Sequence, residues 1–509
     1  MLPITSVWLG GFSILIFLSC FYFLLWTVKD VRYRLAARKA GCAMPVKYWH
    51  KDPFLGVDLF FQRLKDMNSG DSLATDRIIL GKYGKTVLTN NWGTKQYVTM
   101  DPVVIQTVLA LEVDKFGVAP MNHPMCSPLL GEGIMTVDGH AWKKSRSLLN
   151  LVFTKAQVSE LSSLEAHVKI FMDLIPRDGT TIDMQPLCKK LFLDISSEFV
   201  FGKSANSLSP EKSSTVGHRL VHLFDEALVK MFQRYMLGRF KFLIGEKKWF
   251  AQCAEVQGIV DELIDEEFKN QAAAAKGSEV QTDIPYNHVL LKELVKITDD
   301  RRYIRNELMN VFFPARNTAG ILMGNIIFML ARHPQVWAKL RKEVLDIGDQ
   351  KLTFELLKSL KYVQAVINET LRLQSPVGGS WKTCLVPCIL PHGGGPSGKE
   401  PILVEPGDEM RMSFTPLHTD PNIWGETALD FLPERWAGLK QSWNYIPFMG
   451  GRRICPAQQN ALTDVAFVLA TLARNFKVIE NRGPHLEYVD KIVFTRECAD
   501  GVQIAFVPI

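Results

Sequence analysis

The residues best placed to do chemistry lie in Phe448-Met449-Gly450-Gly451-Arg452-Arg453-Ile454-Cys455-Pro456-Ala457. Two glycines free the backbone just ahead of a cysteine. A helical apolar period follows, with Leu462, Val465, Leu469 and Leu472 on one stripe. A cysteine at that junction sits near a helix N-terminus, where unpaired amides and the helix dipole favour a thiolate. Arg452 and Arg453 are expected to add positive charge beside it. A thiolate is the form in which cysteine binds iron, and donated to a haem iron it pushes electron density that favours O–O cleavage. The loop alone equally allows a buried structural thiol, the common fate of a free cysteine.

Three further groups stand out. Glu369 and Arg372 are three apart in a helical run over 355–374, which by itself is the spacing of a solvated ion pair. A long apolar helix over 303–331 contains Pro314-Ala315-Arg316-Asn317-Thr318-Ala319-Gly320, and the proline is expected to interrupt it. A break beside a hydroxyl and an amide makes room for water; a simple kink is the plainer alternative. Trp142 and Arg146 stand one turn apart in Asp138-Gly139-His140-Ala141-Trp142-Lys143-Lys144-Ser145-Arg146. They could share a carboxylate ligand, or form a surface Trp–Arg pair.

Together these segments resemble the cytochrome P-450 superfamily. Its haem-binding loop reads Phe-x-x-Gly-x-Arg-x-Cys-x-Gly, which Phe448, Gly451, Arg453 and Cys455 match; Ala457 stands where glycine is usual, and Pro456 follows the cysteine directly. The resemblance implies that Cys455 is the axial ligand of haem b (iron protoporphyrin IX). It also implies that Phe448, Gly451 and Arg453 of that loop take part in binding the haem. Trp142, Arg146 and Lys382 would bind the haem propionates. Glu369, Arg372 and Arg435 of Phe431-Leu432-Pro433-Glu434-Arg435-Trp436 would form a buried structural network. Thr318 would assist oxygen activation, and Asn317 replaces the acid usual beside it. An amide can orient water but cannot carry a proton.

The elements that must position these residues read as mainly α with small β-sheets. Residues 7–28 carry no charge and are long enough to cross a bilayer as a helix. Lys29, Arg32, Arg34, Arg38 and Lys39 follow at once, which places the body of the protein on the cytosolic side. The expected organisation is an N-terminal membrane anchor (1–28), a basic Pro/Gly linker (29–50) and one haem-thiolate domain (51–509). Strands are expected over 78–100, with turns at Tyr83-Gly84 and Asn90-Asn91, and again over 487–508. Helices are expected to start at Asp101-Pro102 and Asp420-Pro421 and to fill 457–475. The Gly/Pro-rich stretch 391–401 is expected to be irregular.

Of 509 residues, 47% are hydrophobic and the formal net charge is +6, a mild excess without the Lys/Arg runs of a nucleic-acid binder. Nine scattered cysteines argue against a disulfide framework. Cys384 and Cys388 lack the second pair a zinc site needs. No Gly-x-Gly-x-x-Gly follows a strand, so no dinucleotide site is expected.

The resemblance is nearest to the fungal alkane and fatty-acid hydroxylase group. It is carried by Lys51-Asp52-Pro53-Phe54-Leu55-Gly56, Pro128-Leu129-Leu130-Gly131-Glu132-Gly133-Ile134, Gly393-Gly394-Gly395-Pro396 and Gln458-Gln459-Asn460-Ala461-Leu462. It implies a monooxygenase that inserts one atom of O2 into an apolar, membrane-partitioned small molecule. Electrons would come from NADPH through a separate flavoprotein reductase. The expected setting is the endoplasmic reticulum membrane, single-pass, in a tailoring step of secondary metabolism on a polyketide- or fatty-acyl-like substrate. Terminal hydroxylation of fatty acids or n-alkanes is one alternative. A haem-binding isomerase, dehydratase or non-oxygenating haem protein is another, suggested by Asn317.

Overall fold

The basic residues that follow the charge-free N-terminal stretch continue its helix: α1 spans Ile4–Lys39. The computed structural model describes residues 4–153, 160–209, 211, 215–275, 289–440 and 442–509; before residue 27 it describes the side chains of Phe17, Phe21, Phe23, Leu24 and Leu25 only, and those of Thr215, Val216 and His218 are likewise left out. Most of the expected anchor side chains therefore lie outside the described residues. Among those described, no helix is long and apolar enough to cross a membrane. The C-terminal turns of α1 are packed down. Tyr33 is buried and donates its hydroxyl to the Leu403 carbonyl at 3.0 Å, with Lys95 Nζ 3.6 Å above its ring.

The helices that build the body are α2 (Ala119–Leu130), α3 (Gly139–Val152), α4 (Met184–Phe201), α5 (Thr215–Leu237), α6 (Lys247–Ala275), α7 (Arg301–Arg332), α8 (Lys361–Leu373) and α9 (Gln458–Asn475). The expected helix starts hold. Asp101 and Asp420 each accept a backbone N–H two residues on, with proline in the first turn. The run expected as one helix over 355–374 is divided at Leu360 into Phe354–Ser359 and α8.

Helix α7 is the axis of the molecule. Asp300 caps it by accepting the Tyr303 N–H at 3.0 Å, and it then runs 32 residues without a break. The expected interruption at Pro314 does not occur. Pro314 deletes one backbone hydrogen bond, but tertiary packing carries the helix through. Helix α4 lies along it, and the approach is so close that a Cβ on Gly320 would sit 2.8 Å from Lys189 Cα. The C-terminal half of α7 is buried with α4, α8 and α9 through Leu322, Ile326, Val366, Ile367, Val465 and Leu469. The N-terminal half is buried with α2, α3, α5 and α6 through Leu308, Phe312, Leu129, Leu149, Phe224 and Val260. Between them Phe313, Pro314, Ala315, Asn317 and Thr318 are only half-buried. Mid-helix residues with that exposure, inside a chain of this size, face a hollow.

Among the described residues, twelve strands form small sheets. The largest has the order β1-β2-β8-β5-β3 (Thr86–Asn91, Thr94–Thr99, Glu409–Ser413, Gly379–Cys384, Phe116–Gly117), parallel only between β2 and β8. β4 (Ile182–Asp183), β12 (Gln503–Pro508) and β9 (Phe476–Asn481) make a second sheet; β6 (Cys388–Gly394) pairs β7 (Glu400–Val404), and β10 (Asp490–Val493) pairs β11 (Thr495–Cys498). Residues 78–83 belong to a helix, Ala74–Tyr83, and the first hairpin turns at Trp92-Gly93, not at the expected positions. The stretch 391–401, expected to be irregular, is largely hairpin. Its glycines serve a ladder whose register shifts between Leu390 and Gly394. Gly393 sits at φ +116, where a Cβ would meet Ile402 Cδ1 at 2.8 Å.

Candidate active site

The site begins behind the cysteine loop, with a carboxylate that has no access to water. Glu369 and Arg372 of α8 are fully buried and bonded bidentately, Nε to Oε2 and Nη2 to Oε1, both at 2.8 Å. Arg435 Nε donates to Glu369 Oε1 at 2.9 Å. The structure brings the three residues named from the sequence, Glu369, Arg372 and Arg435, together. Two donors it missed complete the shell: the Leu432 N–H to Oε1 at 2.9 Å and Trp436 Nε1 to Oε2 at 3.0 Å. Trp436 directly follows Arg435, which was the available signal. The rest of the Arg372 guanidinium is spent on the carbonyls of His418, Ala428 and Asp430.

His418, unnoticed in the sequence, joins this network to the loop. Burial and the Arg372 charge push its imidazole down to about 3, so Nε2 is free to accept the Ile446 N–H at 3.0 Å. Two residues on, the loop folds on itself. The Phe448 carbonyl accepts the Cys455 N–H at 3.0 Å. Gly451 holds φ +65, and a Cβ there would lie 1.9 Å from the Leu109 carbonyl oxygen, so no other residue fits without displacing backbone. Helix α9 starts at Gln458, three residues past the sulfur.

Around Cys455 the charges differ from expectation. Burial pushes the thiol up; the Ala457 amide and the Arg146 charge pull it back. Arg452 is not near the sulfur in effect: it is exposed and pairs with Asp114 at 3.1 Å. Arg453 lies 4.5 Å above the Trp142 ring and is bound to Asp138 and the Val137 carbonyl. Asp138 is itself fixed by the N–H groups of Val118 and Ala119 at 3.0 and 2.8 Å. The cation that acts on the sulfur comes from α3: Arg146 donates to the Ile454 carbonyl at 2.7 Å. Adjacent arginines in sequence diverge because the loop turns between them; residues 300 apart converge.

Lys382 of β5 is 2% exposed. Burial and the Arg453 charge push its ammonium down to about 7. Among the described residues no acid pairs with Lys382 or with Arg146. The buried Lys382, the half-buried Arg146 and the buried Trp142 thus gather around the cysteine loop, with Asp138, already bound to Arg453, as the nearest acid to Lys382. Such a set suits a group that brings its own carboxylates. With a sulfur donor beside them, the residues present fit a haem.

On α7, Thr318 donates its hydroxyl to the Pro314 carbonyl at 2.9 Å and is half-buried, as is Asn317. Arg316 points elsewhere, to Asp225 and over the Phe224 ring of α5. The structure therefore brings Thr318 and Asn317 to the hollow and leaves Arg316 outside it.

The family model described as Cytochrome P450 matches residues 60–497. Cytochrome P450 monooxygenase apdE of Emericella nidulans is 32% identical over 490 residues, 96% of this chain and 92% of that one. Cytochrome P450 monooxygenase iccC of Talaromyces variabilis is 34% identical over 87% of this chain and 88% of its own length. Cytochrome P450 monooxygenase himC of Aspergillus japonicus is 33% identical over 98% and 90%. The crystal structure of cytochrome P450DA heme domain superposes with a TM-score of 0.72 over 88% of this chain and 94% of that one, at 18% identity, a likeness of fold.

Proposed function

Because this chain belongs to the cytochrome P450 family, we propose that Cys455 would hold its haem iron through the sulfur and that Arg146, Lys382 and Trp142 would hold the haem carboxylates. The enzyme is a haem-dependent monooxygenase. Bound haem supplies the activation of O2, with electrons from a reductase, by which one oxygen atom enters a C–H bond and the other leaves as water. The observation that carries the residue assignment is the buried Lys382 and the half-buried Arg146, neither in an ion pair among the described residues, with Arg146 acting on the Cys455 sulfur.

The chain's own residues divide the work. The Glu369 network and His418 hold the cysteine loop in place from behind. Ala457 and Arg146 favour the ionised sulfur against its burial. Thr318, with its proton given to the Pro314 carbonyl, keeps its oxygen lone pairs to accept from a water or substrate group. Asn317 orients water but moves no proton itself, so protons reach the site through water and hydroxyl groups. Arg453, whose Nη2 is bound to Asp138 and the Val137 carbonyl, keeps other guanidinium donors that would reach toward the haem.

In this reading the substrate is apolar and the step is a tailoring reaction of secondary metabolism, supported by relatives at 32–34% identity that are named as monooxygenases. Residues 7–28 anchor the protein in the endoplasmic reticulum membrane with its body toward the cytosol, and a membrane-bound NADPH-dependent flavoprotein supplies the electrons. The test is the carbon monoxide difference spectrum of the reduced protein. The full-length chain gives the thiolate-type band and Cys455→Ser does not. A serine variant that keeps the band removes the assignment.

A further inference from the structure

The hollow beside α7 has a second wall. The tight turn between β10 and β11 is a single residue, Phe494, held at φ +63. A bulky side chain rarely adopts that backbone, and strain of this kind persists only where surrounding contacts impose it. Those contacts are rings. Phe494 meets Phe313 of α7 at 5.5 Å between centroids, Phe232 of α5 at 5.4 Å and Tyr235 of α5 at 5.5 Å, all edge to face. Tyr235 in turn lies nearly parallel to Trp381 of β5, 6.1 Å away. Each of these five rings is only half-buried although each packs on another. Phe313 is one helical turn from Asn317 and shares its face of α7. The rings therefore form an aromatic wall next to the reaction site.

One polar element interrupts the wall. The Tyr235 hydroxyl donates to Asn122 Oδ1 of α2 and accepts the Cys126 thiol at 3.7 Å. Asn122 Nδ2 gives one hydrogen to the Met135 carbonyl at 2.8 Å. An amide nitrogen carries two, so one donor remains. Burial pushes the Cys126 thiol up to about 12 and holds the Tyr235 hydroxyl well above its ordinary range, so both are neutral near pH 7. The nearby cations are already engaged, and Lys382, which follows Trp381, is the one the preceding section gives to the haem carboxylates. Arg234 binds Glu246 and the Pro124 carbonyl, Lys241 takes that same carbonyl, and Arg411, which lies over Trp381, pairs with Asp76.

We propose that this aromatic wall and the Asn122–Tyr235 pair form the substrate-binding subsite, and that it selects a neutral apolar molecule bearing one carbonyl or hydroxyl oxygen over a free carboxylic acid. The oxygen takes the spare Asn122 hydrogen; the hydrocarbon packs on Phe313 and Phe494. A carboxylate would enter with no cation to receive it. The proposal rests on the monooxygenase reading of the preceding section and sharpens its substrate.

The test uses haem-loaded full-length protein and three probes: 2-tridecanone, tridecane and dodecanoate. Binding is followed at pH 7.5 by the spin-state shift of the Soret band, after the carbon monoxide band has verified the haem. The wild type binds 2-tridecanone more tightly than dodecanoate. Asn122→Leu weakens 2-tridecanone about tenfold, the size of one lost hydrogen bond, and leaves tridecane within about twofold. Phe494→Ala weakens tridecane and 2-tridecanone alike, by at least about fivefold, at the scale of lost ring packing. Should Asn122→Leu not fold, Tyr235→Phe serves, since it frees the Asn122 carbonyl and unsettles the amide. Dodecanoate binding best, or equal weakening of ketone and alkane by the polar variants, overturns the proposal. Loss of the carbon monoxide band in the wild type would instead strike the monooxygenase reading.

Discussion

Glu369→Gln is the substitution from which the structure predicts most. The two side chains are nearly isosteric, so packing is kept and only charge and hydrogen-bond polarity change. Five donors converge on Glu369: Arg372 Nε and Nη2, Arg435 Nε, Trp436 Nε1 and the Leu432 N–H. Glutamine keeps one oxygen, which serves the three donors on the Oε1 side. Its NH2 then faces Arg372 Nε and Trp436 Nε1, donor against donor. Each buried donor left unmet costs about 1–3 kcal/mol. Arg372 is fully buried, so its charge also loses its only acid partner at that site. Removing one member of a buried pair costs about 3–5 kcal/mol, against a total stability of about 5–15 kcal/mol for a folded domain. The expected result is a urea midpoint, followed by far-ultraviolet circular dichroism, lower by a third or more, with much reduced pigment. Asp346→Asn is the control, because the Lys342–Asp346 pair is exposed on both sides and solvated pairs contribute about 0–1 kcal/mol. A loss below about 1 kcal/mol for Glu369→Gln, equal to the control, would refute the buried-charge argument.

Other perturbations separate the parts of the site. Lys382 stands at about 7 and forms no ion pair among the described residues, and carboxylates bound beside it raise it again. Haem binding then takes up a proton above about pH 7, so haem affinity falls as pH rises, by at most about tenfold per unit. The variant Lys382→Arg stays charged and flattens that profile in competition against apomyoglobin; an unchanged slope counts against the contact. Gly451→Ala forces a Cβ to 1.9 Å from the Leu109 carbonyl at φ +65, whereas Gly398→Ala has similar φ (+67) and nothing within 4 Å. The first should lose most of the 450-nm pigment and the second keep it; equal retention would show that loop position does not govern haem capture. Pro456 offers no N–H, and the sulfur takes its hydrogen bond from Ala457. Pro456→Ala adds a donor next to the sulfur and should raise the reduction potential in spectroelectrochemical titration; a lower value would contradict this.

What could be read from sequence was what local pattern encodes. The i,i+3 spacing of Glu369 and Arg372, the caps at Asp101 and Asp420, and the glycines before Cys455 each act within a few residues. Convergence of distant segments could not be read. Arg453 looked like a neighbour of the sulfur because it is two residues away, yet Asp138 claims it. Arg146, 309 positions earlier, does the work instead. The Pro314 error has the same origin. Proline cost was weighed locally, while α4, pressed against Gly320, supplies the packing that keeps α7 whole. Phe494 and Asn122 gave no local signal at all, since a ring at a hairpin tip matters only for what it touches.

The two charged centres of this protein follow opposite rules, and the difference supports the proposed haem site. At Glu369 every charge has a protein partner: the carboxylate meets two guanidiniums, and the spare Arg372 donors meet three carbonyls. Such a site is closed and can only be structural. Around Cys455 the count is left open. Arg453 has Asp138, but half-buried Arg146 has a single carbonyl, and the deeper Lys382 forms no ion pair among the described residues. Burying an unpaired cation is costly enough that proteins otherwise avoid it. A fold that satisfies five donors on one carboxylate does not leave two cations unmatched for want of room. The unmatched pair supports the proposal that Arg146 and Lys382 receive carboxylates from outside the chain. A cofactor with carboxylates at one edge and a metal within reach of a sulfur meets both conditions at once.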